Sequence, residues 1–173
     1  GWLLCTSRGY TLVNGLVLIL GVLVSLFQMQ YPYASEFKSL TKTLDMPNTQ
    51  VVHTQPTPQG TYQMVTSETL RQAQGLSLTY TGAIPLADMV FLNAEGYCAL
   101  ERLPVDTSFY RSNLFALPYL LRQPTKTLVI EPQGTFFVSQ ALWHDALSVT
   151  VVEPLQPLVD TLINFPWPLG GVE

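Results

Sequence analysis

Acidic side chains follow two short apolar segments in the C-terminal half of the chain. Glu131 comes directly after Thr127–Ile130, and Glu153 comes directly after Ser148–Val152. Both segments have the composition of parallel strands that are buried on both faces. Ligands of doubly wound α/β proteins bind at the carboxyl ends of such strands. The spacing therefore predicts a ligand site around residues 131–134 and Glu153.

Histidine and cysteine patterns offer little other chemistry. Asp145 follows His144, but no Gly-x-Ser-x-Gly motif or activated cysteine accompanies His144 or His53. His144 falls at the predicted end of a helix, where a cation is stabilised by the helix dipole, so we interpret it as a capping residue. Cys5 and Cys98 are too far apart in sequence for a metal-binding Cys-x-x-Cys pair, and we interpret both as buried thiols. No metal site is predicted.

Segments in the middle of the chain, in which apolar and polar residues alternate, predict a small antiparallel sheet. Strands are predicted over residues 61–65, 76–81 and 89–92, which are separated by Gly, Pro or Asn turns. A polar, helix-compatible segment over residues 36–45 precedes them. A proline-rich connector that ends at Gly60 joins this segment to the first strand.

The C-terminal third predicts a βαβ unit. Apolar residues at helical spacing predict a helix over residues 109–121, whose end is shaped by Pro118. Thr127–Ile130 and Ser148–Val152 then flank a helix predicted over residues 135–143, with a right-handed crossover between parallel strands.

An uncharged apolar segment lies near the N-terminus. No charged residue occurs between Arg8 and Glu36, and Leu12–Phe27 is almost continuous Leu, Val, Ile and Gly. Extended to Met29 it has about 18 residues, which nearly cross a hydrocarbon core of about 30 Å. The segment predicts one transmembrane helix, flanked by an aromatic belt of Tyr10, Tyr31 and Tyr33.

The predicted helix implies a single-pass membrane protein. Lys38 and Lys42 outnumber Arg8, which favours a cytoplasmic position for the C-terminal part. The alternative is a secretory signal, but Ala34-Ser35 matches a cleavage site poorly.

Length and composition limit the possible functions. The chain has 173 residues, room for one domain and an anchor, and its charged fraction of 12% is low, as in a protein with a membrane segment. A net charge of −4 without a Lys/Arg cluster excludes nucleic acid as an expected partner. The predicted divisions are an anchor (1–33), a helix and proline-rich connector (34–60), a small antiparallel sheet (61–105) and a truncated Rossmann-like βαβ unit (106–173).

Three local motifs occur in a fixed order. Residues 60–63 read Gly-Thr-Tyr-Gln, Tyr110 follows Asp106 by four positions, and residues 151–154 read Val-Val-Glu-Pro. With the βαβ unit, this order resembles the polyamine aminopropyltransferases (the spermidine synthase family), especially bacterial forms in which transmembrane helices precede the synthase domain. The resemblance covers residues 57–162. It implies an α/β fold with one N-terminal transmembrane helix, a small antiparallel sheet and a partial Rossmann-like, methyltransferase-type unit. It also implies a location in the bacterial inner membrane.

The resemblance also implies a cofactor site. The acidic residue that ends the family's second strand holds the ribose hydroxyls of a decarboxylated S-adenosylmethionine-type ligand, a role that would fall to Glu153. Gln63 would lie beside the same nucleoside, and Gly134 corresponds to the surviving glycine of the family's ligand-binding loop. The alternative for Glu153 is a solvated strand end.

The departures from the family concern catalysis. The glycine-rich loop reads Ile-Glu-Pro-Gln-Gly at residues 130–134, so that Pro132 removes an N–H and Glu131 adds a negative charge. Arg111 and Ser112 stand where the family has His-Glu, which removes a carboxylate that grips the amine substrate. The family's catalytic Asp lies on a later strand, and no residue is assigned its role.

The sequence therefore predicts an accessory or structural subunit built on a catalytically silent synthase-like domain. Its expected partners are membrane lipid and the proteins of a membrane complex. The alternative is an aminopropyltransferase or related transferase, seen here as a fragment, that uses decarboxylated S-adenosylmethionine or S-adenosylmethionine.

Overall fold

The computed structural model of the chain describes residues 13–25, 35–103 and 105–167. It divides into two units, Gly1–Ser35 and Glu36–Glu173. In the first unit, residues 13–25 form an α-helix, α1. All the strands of the described residues belong to the second unit.

The predicted membrane anchor is contradicted. No helix within the described ranges combines the length and the apolar character that crossing a bilayer requires. At about 1.5 Å per residue, residues 13–25 extend about 20 Å, against a hydrocarbon core of about 30 Å. The single-pass topology and the inner-membrane location depended on that helix and are wrong with it. Leu12, residues 26–29 and the three tyrosines of the predicted aromatic belt lie outside the described residues.

A four-stranded antiparallel sheet forms the first part of the larger unit, in the order β1-β2-β3-β4. Its strands are β1 (Gln50–Thr57), β2 (Gly60–Thr66), β3 (Ala87–Leu92) and β4 (Glu95–Glu101). The strands predicted at 61–65 and 89–92 are confirmed as parts of β2 and β3.

Two parts of the sheet prediction are wrong. Residues 76–81 form turns with a single bridge from Leu76 to Asn113. The proline-rich connector instead contains β1, in which Pro56 pairs with Thr61. Proline is tolerated there because β1 is an edge strand, so its missing N–H costs no ladder bond.

The helical segments are shorter than predicted. α2 (Ser39–Leu44) lies within the predicted 36–45 helix and buries Leu40. The single helix predicted over 109–121 is broken into α3 (Thr107–Arg111), a 3₁₀ turn (Leu114–Ala116) and α4 (Leu117–Leu121). The break falls at Asn113, whose backbone is extended and whose side chain accepts a hydrogen bond from the N–H of Phe115 at 3.0 Å.

The βαβ unit is confirmed. β5 (Lys126–Ile130) and β6 (Ser148–Val152) pair in parallel and are connected by α5 (Phe136–Trp143), and α6 (Gln156–Ile163) follows. The expectation that both faces of these strands are buried is wrong. Val149 is fully buried, whereas Leu128, Ile130 and Val152 are 60%, 65% and 51% exposed. The fold class is therefore α/β, with an antiparallel and a small parallel sheet but without the predicted spanning helix.

The core joins the two sheets. Leu155, Leu158 and Leu162, around α6, pack against Tyr62 and Val90 of the antiparallel sheet. This packing brings the end of β6, which carries the predicted ligand residue Glu153, next to β4.

Candidate functional site

Glu153 lies directly after β6 and is held in one orientation. Its Oε1 accepts hydrogen bonds from the Tyr97 hydroxyl at 3.2 Å and from the Leu155 N–H at 2.9 Å. Its Oε2 is shielded from solvent and has no hydrogen-bond partner within the described part of the chain. Glu153 is therefore a fixed carboxylate with one unused acceptor oxygen.

Tyr97 reaches Glu153 because of a β-bulge. Val90 of β3 pairs with Cys98 and Phe91 pairs with Gly96, so that Tyr97 is left without a partner in the β3–β4 register. A bulge turns the side chain of the extra residue away from the regular alternation. Burial, with a further contribution from the Glu153 charge, raises the pKa of Tyr97 to about 12. The hydroxyl therefore stays a proton donor at neutral pH.

An apolar groove of about 530 Å³ runs beside Glu153. Its size falls within the range of about 300–1,000 Å³ that is typical of small-molecule sites. Of the described residues that line it, Glu153 is the acidic one, and the others are Val151, Val152, Gln156, Val159, Leu162, Ile163 and Trp167. An apolar surface with one convergent carboxylate suits a ligand with a flat apolar part and a hydroxyl or amine donor.

A second carboxyl group, Glu101, is buried at the end of β4. It is 6% exposed, and its Oε2 accepts hydrogen bonds from the Tyr110 hydroxyl at 2.9 Å and the Thr135 hydroxyl at 3.5 Å. Its Oε1 has no partner among the described residues. Burial raises the pKa of Glu101, although the hydroxyl donors around it act in the opposite direction.

Glu101 lines a small cavity of about 40 Å³ between the sheet and α5. The cavity also contacts Tyr97, Gln72, Gln74 and Gln133. Since Tyr97 lines this cavity and binds Glu153, which lines the groove, the Tyr97–Glu153 hydrogen bond lies between the two spaces.

The loop after β5 has an unusual backbone conformation. Glu131, Gln133 and Gly134 have φ of 50°, 49° and 100°, a region that favours glycine. A Cβ on Gly134 would lie 1.9 Å from the carbonyl oxygen of Ala99. The need for glycine at position 134 therefore comes from close packing against β4.

Gln63 is not brought to Glu153. Successive side chains of a strand point to opposite faces. Tyr62 packs in the cluster that contains Leu155, the residue whose N–H binds Glu153. Gln63 therefore points to the other face of the sheet, beside its register partner Phe91.

The two histidines contact neighbouring residues of their own helix or strand. His144 is the C-cap residue of α5, as predicted, and its Nδ1 is 2.8 Å from the carbonyl oxygen of Gln140, to which it donates. The exposed His53 contacts Gln55 at 3.3 Å. Cys98 is buried as predicted, and burial raises the pKa of its thiol, which disfavours the nucleophilic thiolate. Cys5 lies outside the described residues.

Two motif residues of the predicted resemblance have structural partners. Asp106 caps α3 by accepting a hydrogen bond from the Ser108 N–H at 2.9 Å, which lowers the pKa of its carboxyl. Tyr110 binds Glu101. Sequence reasoning missed Tyr97 and Glu101, because a bulge and the burial of a strand end leave no periodic signal.

Comparisons with protein-family models, curated proteins and solved structures gave no match. The described residues also contain no group of three or more His, Cys, Asp or Glu side chains able to hold a metal ion.

Proposed function

We propose that the Glu36–Glu173 unit binds a nucleoside-bearing ligand of the S-adenosylmethionine type in the groove beside β6, as an accessory module without a catalytic step of its own. The observation that carries the proposal is the Glu153 carboxylate, which lines an apolar groove and is held there by Tyr97 and Leu155. Its Oε2 is shielded from solvent, so a ligand hydroxyl reaches it only if the carboxyl group turns towards the groove. A desolvated acceptor without a partner costs about 1–3 kcal/mol, and a hydrogen bond from the ligand would remove that cost.

The groove supplies the other half of such a site. Its apolar lining suits the faces of a purine base, and Trp167 adds an aromatic surface. A ribose hydroxyl attached to that base would then donate to Glu153. The family resemblance assigns the same role to the residue at this strand end.

Charge favours a ligand without a carboxylate of its own. The loop after β5 presents the exposed Glu131, and no lysine or arginine is among the described residues that line the groove. The decarboxylated form of S-adenosylmethionine, or methylthioadenosine, therefore fits these residues better than S-adenosylmethionine.

We propose an accessory role because the groove offers no free catalytic base among the described residues. Transfer to an amine requires a group that removes the amine proton. Among the described residues of the groove, Glu153 is the acidic side chain, and its Oε1 already accepts two hydrogen bonds.

Calorimetry tests the binding. We expect methylthioadenosine and decarboxylated S-adenosylmethionine to bind the full chain, and Glu153→Gln to weaken binding about tenfold or more because the charged acceptor is lost. Glu68→Gln, an exposed glutamate outside the groove lining, is the matched control and should keep the affinity. The absence of heat from the wild-type chain at millimolar ligand would exclude the proposal, and unchanged binding by Glu153→Gln would place the ligand elsewhere.

A second candidate role is docking on a partner protein through the uncovered face of the parallel pair. Leu128, Ile130 and Val152 are exposed on this face, while α5 packs with Val149 on the other. Because parallel sheets are covered by helices on both faces, the occupant we propose is an amphipathic helix of the partner.

Docking is tested with two surface variants. We expect a stoichiometric partner to lose affinity for Leu128→Lys and to keep it for Leu78→Lys, since Leu78 is also an exposed leucine and lies outside this face. A purified chain that stays a folded monomer and retains no stoichiometric partner would remove this role.

A further inference from the structure

Four leucines of one helical segment are exposed to solvent. The segment consists of the 3₁₀ turn and α4, which follow each other without a break. Its residues Leu114, Leu117, Leu120 and Leu121 are 69%, 51%, 66% and 78% exposed. Side chains three, four and seven positions apart lie on one side of a helix. The four leucines therefore share one side of the segment, the leucine face.

The opposite side of the segment is also apolar, and it holds the segment to the fold. Ala116 is fully buried there. Tyr119 stacks on His144 with ring centroids 5.1 Å apart, and Phe115 packs edge-on against Phe137 at 5.0 Å. A helix that is apolar on all sides is normally covered on all sides, by protein or by lipid. The leucine face therefore indicates an apolar binding partner.

The charges next to the leucine face in the sequence are positive. Arg111 precedes it, Arg122 follows it directly and Lys126 begins β5, and all three are exposed. No acidic residue occurs between Asp106 and Glu131, although the whole chain has a net charge of −4. In the described part of the chain, none of the three cations forms an ion pair. An anionic surface is therefore the complementary partner.

An open depression of about 690 Å³ adjoins the first turn of the leucine face. Among the described residues that line it, Arg111 is the charged one, and Ser77, Thr79 and Ser112 contribute hydroxyl groups. The lining also includes the fully exposed Leu78. A guanidinium group and hydroxyl donors without a carboxylate suit a phosphate group. A phosphate beside exposed leucines is the chemistry of a phospholipid headgroup.

We propose that the leucine face binds the surface of an anionic phospholipid membrane. The leucines lie at the boundary of the acyl chains, and Arg111, Arg122 and Lys126 contact the headgroup phosphates. Helical segments with an apolar face and basic residues lie in the plane of the interface in this way. The contact is peripheral and needs no helix that crosses the bilayer. It is also independent of the groove beside Glu153. A partner protein would need a groove that matches the leucines, whereas acyl chains adapt to them.

A fluorophore on the leucine face gives a local test. An environment-sensitive fluorophore is attached to the full chain at Leu121→Cys, and at Ile163→Cys as the control, since Ile163 is 73% exposed and lines the groove beside β6. Both proteins carry Cys5→Ser, and the buried Cys98 stays unlabelled. The vesicles contain phosphatidylcholine alone, or equal parts of phosphatidylcholine and phosphatidylserine. We expect the emission at position 121 to shift to shorter wavelength with the anionic vesicles alone, and the emission at position 163 not to change.

Cosedimentation of the full chain with the anionic vesicles separates the apolar and the charged contribution. We expect Leu120→Gln to weaken binding about tenfold, because one leucine no longer enters the acyl boundary. Arg111→Gln should weaken it about fivefold, the effect of one charge at the headgroups. Added salt should weaken the wild type more than Arg111→Gln. Lys42→Gln removes an exposed charge from α2 and is the matched control, which should bind like the wild type.

The fluorophore decides the matter even if a glutamine variant does not fold. Emission at position 121 that does not shift, that shifts equally with neutral vesicles, or that shifts no more than at position 163 overturns the proposal. Wild-type affinity in both Leu120→Gln and Arg111→Gln also overturns it. A purified protein that shields position 121, without any response to vesicles, would assign the leucine face to a protein partner instead.

Discussion

Glu101 is a carboxyl group buried at the end of β4 with hydroxyl groups, and not cations, as its partners. Tyr110 from α3 and Thr135 from the start of α5 both donate to its Oε2. The same Thr135 hydroxyl also accepts a hydrogen bond from the Glu101 N–H at 2.8 Å. One residue thus connects the antiparallel sheet to two helices, and its protonation affects how well they hold together.

Replacing Glu101 by glutamine tests the cost of its burial. Burial raises the pKa of Glu101, so the folded chain keeps the proton to higher pH than the unfolded chain, whose carboxyl has a pKa of about 4.3. The neutral carboxyl contributes its full stability below that value, and the contribution is lost as pH rises through the folded pKa. We expect Glu101→Gln, which stays neutral, to be more stable than wild type at pH 7, by on the order of 1 kcal/mol.

Urea denaturation between pH 4 and pH 8 measures this difference, which should grow with pH. The exposed Glu95 is the control of opposite sign, because its hydrogen bonds and ion pair with Lys38 and Ser39 lower the pKa of its carboxyl. Glu95→Gln should therefore be slightly less stable than wild type at neutral pH, and this difference in stability should disappear at acid pH. Equal pH dependence of wild type and Glu101→Gln would show that Glu101 is not buried as described.

Gly134 offers a second test at the scale of one residue. An alanine there needs a φ near 100° and a Cβ 1.9 Å from the Ala99 carbonyl oxygen, so the β4–α5 contact must move. We expect Gly134→Ala to lose about 2 kcal/mol or more of unfolding free energy. Gly96→Ala is the control, since its Cβ would meet the Ser39 hydroxyl at an ordinary 3.8 Å. Similar losses in the two variants, measured by urea denaturation, would contradict the close packing of Gly134.

The parallel strands β5 and β6 differ between their two faces. α5 packs on one face with Val149 at its centre, while the other carries the exposed Leu128, Ile130 and Val152. Alternation along a strand decides which residues share a face. Ser148 and Thr150 share the exposed face of β6 with Val152, but Leu128 and Ile130 of β5 make this face of the strand pair apolar as well. The sequence therefore did not show that it is uncovered.

Two identical substitutions in β6 test that difference. We expect Val149→Ala, at 0% exposure, to cost about 1–3 kcal/mol, since it leaves a cavity under α5. Val152→Ala, at 51% exposure, should change the stability by less than about 0.5 kcal/mol. Thermal and urea unfolding of both variants measure this. A loss for Val152→Ala that matches Val149→Ala would mean that the second face is covered in solution.

The larger unit contains all the strands of the described residues and the clusters that pack them. A unit with its own core is expected to fold by itself. We therefore predict that residues 36–173, produced alone, unfold in one cooperative transition followed by circular dichroism. Unfolding without a cooperative transition would contradict this division of the chain.

Short-range patterns determined several parts of the molecule. The alternation in residues 61–65 and 89–92 and the apolar segments at 127–130 and 148–152 predicted real strands, because burial of one or both faces selects such sequences. Glu153 followed from the same pattern, since it is the residue after a strand. Hydropathy by itself was misleading near the N-terminus, where it predicted a spanning helix that the described residues do not contain.

Contacts between distant residues decided the site. Tyr97 and Glu153 are 56 positions apart, and Glu101 and Thr135 are 34 apart. Their meeting depends on a one-residue bulge in β4 and on the packing of α5 and α6 against the sheet, which side-chain periodicity does not encode. The sequence determined that a carboxylate follows β6, and the tertiary structure decided how that carboxylate is held, because the Tyr97 hydroxyl that binds it comes from a distant strand.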